Sequence, residues 1–312
     1  MRIKSLDTLV RENEKKERLV ELHTEVAKYA KVREEVFAQM LERGKPEYKW
    51  FILGIRAFKI LSRSSPRGQF LENYYIAMRY VDDITDGDIT LPAGYSSSAE
   101  YVQRKLAYVK SKFREPPADD CERLLALAFK LAREFDSDFG QETEDILNSL
   151  EFDAKRRGTH QIFPATELNN HFFMLDIRGA ISGGLKVFGE NPDNYEILQP
   201  LGEADRIYYN LKHFKEDIKA GFVNISAEDC ARLGITTDVL ESGEYANHQG
   251  LQTWFKEQAG KGLALIGEYH RKRQGVTFQP VTKLALKLAF ETKAKMFLQS
   301  VAQGNFAKIF ER

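Results

Sequence analysis

Tyr75-Ile-Ala-Met-Arg79-Tyr-Val-Asp82-Asp83-Ile-Thr-Asp86 closes a run that opens at Gln69 and carries Phe70, Tyr74, Ala77, Met78 and Val81 at spacings of three and four. That period is helical. Pro66, in the turn Ser64-Ser65-Pro66-Arg67-Gly68, stands where a helix starts. Gly87 to Ser98, with two glycines, one proline and three serines, reads as a loop. The spacing therefore predicts a helix from Gln69 to about Asp86. Asp82 and Asp86 share one face of it, Asp83 sits beside them, and Asp88 comes just past the end. Two carboxylates one turn apart repel each other unless a cation lies between them, and the negative end of the helix dipole adds to that cost. Hard oxygen ligands suit magnesium, which keeps waters and bridges to substrate phosphates. A solvated acidic helix end is the plain alternative. The aromatic context (Phe70, Tyr74, Tyr75, Tyr80) favours a site at the mouth of a core cavity.

Outward from this helix the same period dominates. Residues 5 to 43 read as a charged helix pair or one long helix, with Leu9, Val10, Leu19, Leu22, Val26, Val32 and Val36 as scattered apolar positions in a solvated outer layer. Lys49 to Leu61 is a more apolar helix. Further helices are expected at about 98–114, 119–136, 140–157, 165–188, 193–219, 245–273 and 278–303. Strand signals are nearly absent, with no Asn-Gly hairpin and no sustained alternation. No repeat or low-complexity linker interrupts the chain. The fold class is all-α: a single-domain helical bundle around a central cavity, with 1–48 a charged N-terminal segment and 49–312 the bundle proper.

Composition narrows the function. Lysine plus arginine equals aspartate plus glutamate, 46 each, so no global basic field points to nucleic acid. Cys121 and Cys230 form no close pair, which reads as reduced thiols in a cytoplasmic protein. Met1, Arg2 and Lys4 lead into a charged run without the apolar core of a secretion signal. No uncharged stretch approaches the roughly 18 residues of a membrane span. The segment Val281 to Phe310, interrupted by Lys283, Lys287, Glu291, Lys293 and Lys295, reads as an amphipathic helix, either soluble or surface-docking.

A second acidic segment lies at Gly202 to Asp217, where Asp205, Tyr209, His213 and Asp217 fall four apart in one polar stripe with Glu203 and Glu216 nearby. Two such stripes facing one cavity would hold several metal ions against a diphosphate. Alternatively, Lys212 and Lys215 pair with Glu216 and Asp217 on a wet face.

Together these segments resemble the squalene and phytoene synthase family of head-to-head prenyl synthases. Tyr75 to Asp86 is similar to its first motif, an aromatic followed by Arg-x-x-Asp-Asp-x-x-Asp. Ala57-Phe58 through Ser65-Pro66 resembles the preceding helix. Leu150 to Gly184 resembles the central region, with Asp153, Glu167-Leu168, and glycines at Gly179, Gly183 and Gly184. Lys212 to Glu228, with Gly221 and Ser226, resembles the second motif and the short turn and helix after it. The likeness spans roughly residues 55 to 240. It implies an isoprenoid-synthase-type helical bundle in which magnesium holds two prenyl diphosphates, one of which ionises and alkylates the other. Asp82 and Asp86, with Asp217, would bind metal, and Asp83 would support them. Arg56, Arg79, Phe58, Tyr75, Tyr209, His213, Phe173 and Arg178 would contact substrate. An apolar product implies peripheral membrane association. The sequence departs from the family at Tyr209 and His213, where the second motif has asparagine and aspartate. It departs again at Phe222, which replaces an arginine, and at Arg178, which replaces a small residue.

Arg56, Arg79, Arg156, Arg157, Arg178 and Arg206 are candidates for diphosphate oxygens, which match a guanidinium fork. His171 and His213 are candidate acids or bases, although a lone histidine is more often structural. Phe172-Phe173 and Tyr208-Tyr209 line either a prenyl tunnel or the core. Three functions remain open. The first is head-to-head condensation of two farnesyl or geranylgeranyl diphosphates. The second is a terpene-cyclase-like ionisation of one diphosphate, and the third a non-catalytic relative that binds or assembles.

Overall fold

The computed structural model describes residues 6–44, 46–62 and 65–310. Expectations resting on Met1, Arg2, Lys4 and Ser64, and on the side chains of Leu9 and Val10, lie outside what is described. In chain order the first helices are α1 (Leu6–Lys28), α2 (Ala30–Glu42), α3 (Pro46–Leu61), α4 (Pro66–Asp86), α5 (Ser98–Lys110), α6 (Asp120–Arg133) and α7 (Gly140–Arg156). Then come α8 (Ala165–Phe172), a wide π-helical stretch (Phe173–Ile181), α9 (Ser182–Phe188), α10 (Tyr195–Lys212), α11 (Phe214–Lys219), α12 (Ala227–Leu233) and α13 (Thr237–Ser242). Last are α14 (Gln249–Lys272), α15 (Pro280–Ala285), a second π-helical stretch (Leu286–Glu291), α16 (Thr292–Ala302) and α17 (Ala307–Phe310). No strand occurs among the described residues.

Contacts divide the chain into two compact units, Met1–Asp82 with Ser111–Phe139, and Asp83–Lys110 with Gly140–Arg312. In the first, Leu22, Val26, Val36, Phe37 and Met40 are buried, so the charged N-terminal segment contributes core. The solvated outer layer expected there is corrected: one apolar face of each helix is enough to dock it while the charges stay outside. A buried ion triad ties α2 to α4 and α3, with Glu72 Oε2 3.3 Å from Arg33 Nε and 2.6 Å from Lys59 Nζ. Phe70 stacks on Tyr74 and meets Phe139 at 4.1 Å between ring centroids. One face of α3 stays exposed, with Trp50, Leu53, Ile60 and Leu61 all more than half accessible.

The second unit is organised around α10 and α14. Ala204, Ile207 and Leu211 pack with Trp254, Phe255, Ala259, Leu298 and Val301 in one apolar cluster. Local chemistry sets the ends. Asp119 caps α6 by accepting from the Glu122 N–H, and Ser226 caps α12 by accepting from the Asp229 N–H. Gly189 and Gly234, both left-handed, end α9 and α12. The expected helix at 165–188 contains nine residues of wide turn, and the one at 193–219 breaks at His213, whose φ is −100°. Gly260-Lys261-Gly262 lies inside α14, where Gly262 admits Leu298 of α16.

Gly179 lies in the wide turn against α7. A Cβ there would stand 2.3 Å from Ile146 Cγ1 and 2.9 Å from the Met174 carbonyl. Gly184, one turn on, has nothing within 4 Å. Gly179→Ala is therefore expected to cost about 1–3 kcal/mol in chemical unfolding, whereas Gly184→Ala is neutral or stabilises by up to about 1 kcal/mol. Equal effects would contradict the packing described.

Candidate active site

The helix α4 ends as the sequence predicts. Gly87, at φ +69°, turns the chain, and the N–H groups of Asp88 and Ile89 donate to the Asp83 carbonyl at 2.8 and 3.2 Å. Asp83 is buried, while Asp82 and Asp86 are half-buried. Within the first unit Arg79 Nη1 donates to Asp82 Oδ2 at 2.6 Å and its Nη2 to the Tyr48 hydroxyl at 3.0 Å. Tyr75 packs on Phe51, 4.5 Å between ring centroids. Arg56 is bonded to Glu34 at 2.6 Å and lies over Phe37, so it is committed to the surface of α2 and α3. Phe58 is half-buried on the same helix, α3.

In the second unit the turn after α7 touches the ends of both acidic segments. The Arg157 guanidinium lies where a side chain on Gly87 would go. The Gly158 N–H donates to the Ala220 carbonyl at 2.9 Å, and a Cβ on Gly221, at φ +85°, would stand 2.4 Å from Gly158. Only glycine fits at 221. Beside this turn Arg156 bonds Asp153 Oδ1 at 2.7 Å and Asn224 Oδ1 at 2.8 Å, and Asn224 donates to Asp217 Oδ2 at 2.9 Å. His171 is buried, 2.6 Å from Ser149 Oγ and 3.3 Å from Asp153. Burial pushes it down to about 4, the Asp153 charge opposing, so it is neutral and structural.

The centre of this network is Arg206. Its Nε and Nη2 form a fork on Asp176 at 2.6 and 2.7 Å, and its guanidinium lies 4.8 Å over the Phe172 ring. Burial opposes the Arg206 cation, but Asp176, then Asp153 and Asp205, outweigh it and raise its pKa. Lys293, on α16, donates to the Tyr209 hydroxyl, lies 4.3 Å from the centroid of that ring, and stands 3.5 Å from Asp205 Oδ1, an ion-pair contact rather than a hydrogen bond. Burial pushes Asp205 up to about 7 against the pull of Lys293, and pushes Asp217 up to about 7 against Arg206 and Arg156. Tyr209 is raised by burial and by Asp205, so it is a neutral phenol. His213 bonds Glu216 at 2.8 Å.

Four aspartates, Asp153, Asp176, Asp205 and Asp217, thus share three internal cations, Arg156, Arg206 and Lys293. Lys215 donates to the Phe310 carbonyl at 2.8 Å, and Asp217 turns to Asn224, so the wet-face pairing of Lys215 with Asp217 does not form. Among the described residues no group of three or more His, Cys, Asp or Glu side chains is arranged to hold a metal ion. The donor sets differ in kind. Asp82 and Asp86 lie one turn apart at the end of α4, and Asp82 is bonded to Arg79. In the stripe at 205–217 the phenol and imidazole are engaged, Asp205 faces Lys293, and Asp217 accepts from Asn224.

A cavity of about 500 Å³ opens beside the network, lined by Phe172, Phe173, Asp176, Arg206, Asn210 and Trp254 among others. Of the predicted contacts in this unit, Phe173 reaches it. Arg178 is not among the lining residues and pairs with Asp145 at 3.1 Å from a half-exposed position. Tyr208 is core, edge-on to Phe297. Asp176 and Lys293 were not singled out from the sequence. An isolated acid in the apolar run Phe172-Phe-Met-Leu-Asp176-Ile was the available signal, because a buried charge demands a partner.

No family model matches the sequence, and no curated protein matches it. Among solved structures, squalene synthase HpnC from Alicyclobacillus acidocaldarius aligns over 91% of this chain and 96% of its own, with TM-score 0.63 and 16% identity. A dehydrosqualene synthase in complex with ligand aligns over 95% of this chain and 86% of its own, with TM-score 0.49 and 18% identity. The chain has the fold of the first, an all-helical isoprenoid-synthase fold. No helix among the described residues is long and apolar enough to cross a membrane.

The network makes two outcomes testable. Arg206→Met strands Asp176 and is expected to cost about 3 kcal/mol or more in denaturant unfolding, with Arg206→Met/Asp176→Leu recovering most of it; no recovery would deny the pair its role. Between 3.8 and about 7 the folded chain keeps a proton on Asp205 that the unfolded chain releases, so stability falls as pH rises through that window. Asp217 titrates in the same window, so Asp205→Asn should lessen that fall by roughly half, and an unchanged slope would contradict the assignment.

Proposed function

We propose that the chain is a magnesium-dependent enzyme of the squalene and phytoene synthase type that ionises a prenyl diphosphate. The observation that carries this reading is the intact Asp82-Asp83-Ile-Thr-Asp86 motif on α4 in a chain with the fold of a squalene synthase. Asp82 and Asp86 would hold magnesium, with Arg79 fixing the rotamer of Asp82. When bound, magnesium supplies the charge that stabilises a departing diphosphate. Arg157, beside Gly87 at the end of α4, is the guanidinium placed to take diphosphate oxygens at that end. Phe172 and Phe173, which line the cavity, would contact the apolar prenyl chain.

Head-to-head condensation of two farnesyl or geranylgeranyl diphosphates is the family's reaction and the first reading here. The stripe at 205–217, whose Tyr209 and His213 are engaged by Lys293 and Glu216, favours a second, in which one diphosphate is ionised at one metal cluster and the product keeps the carbon count of its substrate. Pyrophosphate release from both diphosphates, with and without magnesium, together with mass analysis of the hydrocarbon, distinguishes them. Release is expected to require magnesium and to fall about a hundredfold or more in Asp82→Ala. Doubled carbon number supports coupling, and conserved carbon number supports the single-substrate reaction. No release by folded protein overturns both and leaves a non-catalytic binding or assembly protein.

A further inference from the structure

The helical stretch from α15 through the second wide turn to α16 has two faces of different chemistry. Inward, Leu286 packs with Tyr269 and Phe278, and Ala294, Phe297 and Leu298 join the core of α10 and α14. Outward, Leu284, Leu288 and Met296 are 57%, 61% and 65% accessible, and Val281 is exposed beside them. The charged residues exposed with them are Lys283, Lys287 and Lys295. No acid is exposed anywhere from Gln279 to Gln299; Glu291 is half-buried and faces His270 at 3.1 Å. That contact, with the packing of Tyr269 against Leu286, brings the end of α14 alongside, where Arg271, Lys272 and Arg273 are exposed. Lys272 is paired with Glu268.

A chain with 46 basic and 46 acidic residues has here gathered cations and large apolar side chains on one face. We infer that this face is a docking surface for an anionic lipid bilayer: the leucines and Met296 enter the headgroup layer and the lysines and arginines meet lipid phosphates. A basic amphipathic face with alternating leucines has the chemistry of an interfacial helix. Charge favours the bilayer over a second copy, because a two-fold contact through this face would bring the lysines of both protomers together. The inference does not depend on the proposed activity.

The test is co-sedimentation of the full chain with vesicles of phosphatidylcholine alone or mixed with phosphatidylglycerol. Partition into the mixed vesicles only, weakening with salt, is expected. Lys283→Gln/Lys287→Gln should weaken it by roughly fivefold for each lysine removed. Leu284→Glu/Leu288→Glu should weaken it by about tenfold or more. Both variants change exposed side chains, and retained helicity and melting temperature in each will show intact folding. Folded wild-type protein that ignores anionic vesicles overturns the inference. Partition unchanged by both variants overturns it as well. So does a face occupied by protein, seen as a wild-type oligomer or an acidic protein partner that Leu284→Glu/Leu288→Glu dissolves.

Discussion

Arg206 and Asp176 are joined across two helical segments by a two-pronged ion pair, and the second unit's polar interior is arranged around the need to keep that charge balanced. The pair joins α10 to the wide turn after α8. Around it Asp153, Asp205 and Asp217 are close enough to act on the same guanidinium. Each of these carboxylates is then given a second cation or donor: Arg156 for Asp153, Lys293 for Asp205, Asn224 for Asp217. Removing one cation from such a set strands several acids at once, so the network's residues stand or fall together.

This balance constrains chemistry. In the stripe at 205–217, Asp205 stands 3.5 Å from Lys293 and Asp217 accepts from Asn224. Tyr209 and His213, which stand where the resembled family has metal-facing groups, contribute a neutral phenol held by Lys293 and an imidazole held by Glu216. Asp82, in the first acidic segment, is bonded to the Arg79 guanidinium.

Much of this was legible in the sequence. The helix Pro66–Asp86 and its glycine stop come from period three-to-four spacing, a leading proline and Gly87, all local signals. The replacements at Tyr209 and His213 could be read directly. What could not be read was long-range. Lys293 looked like one more lysine interrupting an apolar helix, and only the register shift of the wide turn at Leu286–Glu291, together with α16 packing on α10, brings it to Asp205. Arg178 looked like an active-site charge because of its neighbours in sequence, whereas helix phase turns it to Asp145. The charged N-terminal helices concealed a core because a narrow apolar stripe is diluted by charge in any linear reading.

The central claim is that the protein's own cations occupy the second acidic stripe and leave metal binding to the first. Anomalous scattering from crystals grown with manganese and a non-hydrolysable prenyl thiodiphosphate tests it most directly. Metal peaks confined to Asp82 and Asp86, with Lys293 still on Tyr209 and Asp205, are the predicted result. A metal peak bounded by Asp205, Tyr209 or Asp217, with Lys293 displaced, would contradict it.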